Sequence, residues 1–118
     1  MTVTNTGLAE IANLTIGSGT AFSYLAIGTG TTAAAVTDTA LETETQRESA
    51  TTSRVTTDTT NDTSQWVYTF SFSGVEAVTE FGVFNDATVG IVLGRTVDSA
   101  VNVSSGDSLQ VTYKVDFD

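Results

Sequence analysis

The sequence predicts an all-β protein: an antiparallel β-sandwich of jelly-roll or Greek-key type, with one short N-terminal helix. Three observations carry that prediction. Thr supplies about a fifth of the 118 residues, and its β-branch suits a pleated, half-exposed surface better than a helix. Two segments alternate strictly. Trp66, Tyr68, Phe70 and Phe72 point one way against Gln65, Val67, Thr69 and Ser71, and Leu109, Val111, Tyr113, Val115 and Phe117 oppose Gln110, Thr112, Lys114 and Asp116. Turn formers recur about every ten to fifteen residues, the rhythm of a sandwich or barrel of six or seven strands.

The elements follow in order. Leu8, Ile11, Ala12 and Thr15 fall at i, i+3, i+4 and i+7 and predict one apolar helix face. Asn5 or Thr6 is placed to cap that helix, and Gly17 and Gly19 to stop it. Phe22 to Ile27 reads as a buried strand ended by Gly28-Thr29-Gly30, a turn expected to need positive φ. Thr31 to Thr39 is Ala- and Thr-rich without period, so a long surface loop is expected, with Leu41 as the plug docking it on the core. Gln46 to Thr57 alternates weakly, with Arg47, Ser49, Thr51, Ser53 and Val55 on one side. Thr57 to Thr63 is then a run of turn formers reversing the chain into a hairpin. After the aromatic strand, Gly74 leads to a strand over Val78 to Phe84, Asn85-Asp86 turns it into Val89 to Val97, and Gly106-Asp107 precedes the last strand. No linker or composition break divides residues 1–118, so a single domain is expected.

Charge and missing residue types narrow the function. Four basic residues against fourteen acidic give 4 − 14 = −10, with no His, no Cys and no Pro. Thiol and imidazole chemistry, zinc and iron–sulfur sites and disulfides are therefore excluded. So negative a chain repels phosphate backbones and anionic headgroups, so neither nucleic acid nor a membrane surface is an expected partner. The apolar stretches fall far short of a bilayer span, and Met1 to Asn5 lacks signal-peptide character, which predicts synthesis in the cytoplasm.

Carboxylates are the acid–base groups left: Glu42, Glu44 and Glu48; Glu76 and Glu80; Asp116 and Asp118. Hydrolysis would need two of them in a cleft with one pKa raised. The aromatics alternate inward and indicate no cleft, so solvated acidic surface is the favoured account and no catalytic residue is assigned. Asp58, Asn61 and Asp62 offer hard oxygen ligands to calcium in one loop, though without EF-hand spacing, and Asx turns explain the same residues. No cofactor is expected. The sequons at Asn13, Asn61 and Asn102 are what a chain this rich in Ser and Thr produces by composition. Arg47, Arg54 and Arg95 are rare cations in this chain. Each either pairs with a nearby carboxylate or contacts an acidic partner or neighbouring copy.

Two stretches have a familiar look. Tyr24-Leu25-Ala26-Ile27-Gly28-Thr29-Gly30-Thr31-Thr32-Ala33 leads into Thr37-Asp38-Thr39-Ala40-Leu41, with Glu44 and Arg47 beyond. Further on come Thr79 to Asn85, Leu93-Gly94-Arg95 and Gly106 to Val115. Together they resemble small structural proteins of tailed bacterial and archaeal viruses, from about Asn5 to the C-terminus. The front half also resembles the segment that anchors tail-collar fibres to the baseplate. The resemblance implies a non-enzymatic virion protein. The expected role is a capsid decoration or cement protein on the outer shell, bound to the major capsid protein and to copies of itself as a homotrimer. A tail-fibre or baseplate attachment module is the rival within that class. A carbohydrate-binding β-sandwich, calcium-assisted through Asp58, Asn61 and Asp62, is the rival outside it. The shortage of basic residues also resembles halophilic proteins, although charged residues make up only 15% of the chain.

Overall fold

A computed structural model describes residues 1–117, so the expectation placed on Asp118 lies outside the described residues. The chain forms β1 (Thr2–Val3), α1 (Asn5–Thr15), β2 (Tyr24–Gly28), β3 (Glu44–Ser49), β4 (Thr51–Val55), β5 (Thr63–Ser71), β6 (Glu76–Phe84), β7 (Val92–Val103) and β8 (Ser108–Asp116). All pairings are antiparallel. A five-stranded sheet has the order β1-β7-β6-β2-β3 and a three-stranded sheet the order β4-β5-β8. The predicted all-β sandwich with one short helix is what forms. No helix among the described residues is long and apolar enough to cross a membrane.

Both alternating stripes line the space between the sheets. Trp66, Phe70, Val111, Tyr113 and Val115 come from the small sheet and meet Leu25, Ile27, Val78, Val83 and Leu93 from the large one. Trp66 is buried and its Nε1 donates to the Phe22 carbonyl at 2.8 Å, which satisfies its polar edge inside the core. Phe117 departs from its stripe. It lies beyond the end of β8 and is 47% exposed.

The segment 46–57 is not one strand. The chain leaves the large sheet after Ser49 and enters the small one at Thr51, with the Ala50 N–H donating to the Ser23 carbonyl at 2.9 Å. A change of sheet breaks the period of 2, and that is why the alternation there is weak. The expected return strand is also displaced: β7 starts at Val92 and runs to Val103, because Val89 and Gly90 both turn through positive φ.

The helix is rotated by one residue from its predicted face. Thr4, not Asn5 or Thr6, is the N-cap: its Oγ1 accepts from the Gly7 N–H at 2.9 Å and donates to the Val92 carbonyl at 2.6 Å. Gly7 and Glu10 are buried and Leu8 is 55% exposed. Close approach causes the rotation: a Cβ on Gly7 would lie 2.4 Å from the Leu93 carbonyl oxygen, so this glycine alone lets the helix lie against β7.

Candidate functional site

The large sheet is covered on both faces. Its inner face meets the small sheet, and its outer face lies beneath residues 29–43. Leu41 from that loop packs with Ala26, Phe84 and Val92 and is 7% exposed, as a plug should be. Gly82 makes the seat, since a Cβ there would come within 2.8 Å of Leu41 Cδ2.

Glu80 holds the loop from below. It alternates along β6 with Gly82 and Phe84 on this covered face and is fully buried. Its Oε2 accepts the N–H groups of Gly30 at 2.8 Å and Thr43 at 2.6 Å, and its Oε1 accepts that of Glu42 at 2.8 Å. Arg95, 2% exposed on the neighbouring strand, donates from Nε to Glu80 Oε1 at 2.9 Å and from Nη1 to Asp38 Oδ2 at 3.1 Å. One carboxylate thus ties both ends of the loop to the sheet, and the arginine ties its middle. Arg95 Nη2 has no partner among the described residues, a cost of about 1–3 kcal/mol for a buried donor.

The glycines of the Gly28-Thr29-Gly30 turn serve this arrangement in a way the sequence did not predict. Neither has positive φ. A Cβ on Gly28 would lie 2.3 Å from the Thr43 carbonyl and 2.6 Å from Glu80 Oε2, so the glycine makes room for the carboxylate.

Chemically, the arrangement is a brace. Burial pushes the Glu80 carboxyl up, but the N–H groups of Thr43 and Glu42, the Arg95 guanidinium and the Gly30 N–H outweigh it and hold the group below its ordinary range. A general acid needs the opposite shift. The expected Glu76–Glu80 surface pair does not form, because Glu80 faces inward under the loop while Glu76 accepts from Thr45 Oγ1 at the far end of β6. Glu42 caps the loop start, accepting the N–H groups of Thr31 and Thr32 and the Thr32 hydroxyl, which lower its pKa. Glu48 is exposed on β3.

Of the three arginines, two turn inward. Arg95 is spent on Glu80 and Asp38. Arg47 pairs with Glu44 at 2.6 Å, stacks 3.6 Å above the Phe84 ring and donates to the Asp86 and Val89 carbonyls, bracing residues 85–91. Both thus make the internal pairing, one of the two alternatives the sequence left open. Only Arg54 stays exposed, on β4, and it enters none of the ion pairs found among the described residues.

The 57–63 hairpin brings Asp58 and Asp62 together with Asp116, a residue the sequence placed in another cluster, with carboxylate oxygens within 4.8 Å of one another. Asp62 is occupied locally: its oxygens accept the N–H groups of Thr57 at 2.9 Å, Asp58 at 3.0 Å and Thr59 at 2.7 Å. Those backbone donors hold its carboxyl far below the usual range. Asn61 takes the left-handed conformation that the turn requires, with φ at 61°. The expected Asx turns do not account for this: Asp62 accepts from N–H groups that precede it in the chain, and its carboxylate closes the loop back on Thr57 to Thr59.

Sequence reasoning missed Glu10. Its carboxylate accepts from Asn13 Nδ2, the Thr20 N–H and Asn85 Nδ2, joining helix, loop and sheet. The available signal was a charge next to Ile11 on the face that also carries Leu14.

Fold and site together define a two-sheet β-sandwich whose polar centre is a structural clamp on one long loop. Comparison of the chain with known protein families, curated proteins and solved structures returns no match.

Proposed function

We propose that this chain is a non-enzymatic structural protein of a tailed virus particle, most specifically a decoration or cement protein on the outside of the capsid. Its partners in this reading are the major capsid protein and further copies of itself. One observation supports it above others: residues from separate stretches of the virion-protein resemblance meet in one device. Gly28, Gly30, Asp38 and Leu41 from the first half close on Glu80, Gly82 and Arg95 from the second. A clamp of this kind fixes the shape of an exposed loop without offering a reacting group, which is what a docking element needs. Thr31, Thr32, Ala33 and Ala35 stand exposed at the crest of that loop.

Arg54 is the arginine left available for an acidic partner. Cryo-electron microscopy of the intact particle tests the proposal. Density for this chain in many copies over the shell is expected, with Arg54→Glu reducing occupancy. Density confined to the tail would overturn the decoration role in favour of a fibre- or baseplate-attachment module.

A further inference from the structure

The four strands at the sheet margins are not equally protected. Exposed edges are templates for pairing, and natural sheets blunt them with charges, bulges, brevity or cover. β3 carries Glu44, Arg47 and Glu48 and shifts register against β2 between Ile27 and Gly28. β4 is five residues long. β7 has two register shifts against β6, and β1 covers it at Gly94 and Arg95. β8 carries Lys114 and Asp116 but has neither brevity, a bulge nor a covering strand among the described residues. It is nine residues long, pairs with β5 in an unbroken register from Ser108 to Asp116, and among the described residues has no strand on its other side. Beside that open edge lies a groove of about 320 Å³ whose apolar walls include Met1, Phe81, Val101, Leu109, Val111 and Tyr113.

We propose that β8 pairs antiparallel with β8 of a second copy about a two-fold axis at Thr112, joining the two small sheets into one of six strands. Charge and side-chain pattern select this occupant. Of the fourteen acidic residues only Asp116 lies on β8, beside the single lysine of the chain, Lys114, so this strand is close to neutral in a molecule of net charge −10. A two-fold at Thr112 is the register that pairs all nine residues. It sets Lys114 opposite Gln110 of the copy and Asp116 opposite Ser108, so no like charges meet. On the inner face it sets Leu109 opposite Val115 and Val111 opposite Tyr113, extending the core stripe over the groove. Moving the axis to Lys114 would oppose the two lysines, and cross-strand like charges destabilise pairing. The resulting assembly is two-fold, in place of the three-fold one that the resemblance implies, and the inference stands independently of the virion reading.

Sedimentation velocity over a range of concentrations tests it on the native chain and on three variants at the exposed position Gln110. A monomer–dimer equilibrium is expected. Gln110→Lys, which opposes two lysine pairs, should weaken it roughly five- to tenfold. Gln110→Glu should strengthen it, and adding Lys114→Glu to Gln110→Lys should restore it. Because the chain has no cysteine, Thr112→Cys should give a disulfide-linked dimer under mild oxidation, whereas Ser53→Cys on the opposite margin should not. A chain that stays monomeric, forms a trimer, or dimerises with an affinity indifferent to the charge at residue 110 would overturn the proposal. So would equal cross-linking of the two cysteine variants.

Discussion

Two loops of this protein are held by a carboxylate that accepts three backbone N–H groups, and they differ in almost everything else. Asp62 is half-buried and takes donors from Thr57, Asp58 and Thr59, three to five residues away. Glu80 is buried and takes donors from Gly30, Glu42 and Thr43, which are 37 to 50 residues away, with an arginine beside it. The contrast separates two effects that are easily merged. At Asp62 the N–H groups of Thr59 and Thr57 each outweigh the burial that opposes them, and its pKa falls far. In the interior, burial is the largest influence on Glu80 and works against the same kind of bonds, yet together with Arg95 they still hold the carboxyl below its ordinary range.

The largest test removes the buried carboxylate. Glu80→Ala leaves Arg95 with Asp38 as its one carboxylate partner and three backbone N–H groups without an acceptor, and should cost about 3–5 kcal/mol in urea unfolding. Replacing Glu80 and Arg95 together by leucine should recover only part of that loss, since Gly30, Glu42 and Thr43 would still lack an acceptor. Full recovery would show that the ion pair alone matters and the loop bonds do not.

Next comes the space the carboxylate occupies. Gly28→Ala forces a methyl against the Thr43 carbonyl and Glu80 Oε2, and should cost about 1–3 kcal/mol. The loss should shrink only in part in a Glu80→Ala background, because the carboxylate clash goes while the clash with the Thr43 carbonyl stays. Equal losses in both backgrounds would place the strain elsewhere.

Acid should distinguish the two loops. Both carboxyls have folded pKa values below their unfolded ones, so the stability they bring is complete above the unfolded values and declines as pH falls through the folded values. Loss should therefore begin below about pH 4.5 for Glu80 and below about 3.8 for Asp62. The smallest effect at neutral pH is expected from Asp62→Asn, whose amide oxygen can still accept part of the turn. Its signature is a flatter decline of stability below pH 3.8 than in the native chain, read from urea midpoints across a pH series. A steeper decline would contradict the assignment of the turn to the ionised carboxylate.

A last test lies in the core at alkaline pH. Burial raises the Tyr113 phenol to about 12. A folded pKa above the unfolded value of about 10 means that stability is intact below pH 10 and is lost as pH rises towards 12. Tyr113→Phe should remove that alkaline loss at the expense of a weak hydroxyl contact with Thr96.

The same contrast marks how far the sequence could be read. The 57–63 turn was legible because its donors and acceptor are neighbours along the chain, and a run of Thr, Asp and Asn there has one economical conformation. The strands over 63–71 and 108–116 were legible because alternation is a local property. Glu80 resembled any exposed acid, although its place between Val78 and Gly82 on an apolar strand was a sign of burial. Arg95 and Arg47 were open to either an internal or an external partner, and only packing decides which.

By itself the sequence determined the class of fold, the inward aromatic stripe, the plug at Leu41 and the exclusion of thiol, imidazole and zinc chemistry. Each follows from composition, from a period of two residues or, for Leu41, from one large apolar side chain standing alone in a polar loop. Only the tertiary structure decided that Gln46 to Thr57 divides between sheets at Ala50. It likewise decided that the helix turns by one residue to lie on Gly7, and that Glu80, Asp38 and Arg95 close over one another. The physical reason is common to all three: they depend on close approaches between segments distant along the chain, and no spacing within a single segment records them.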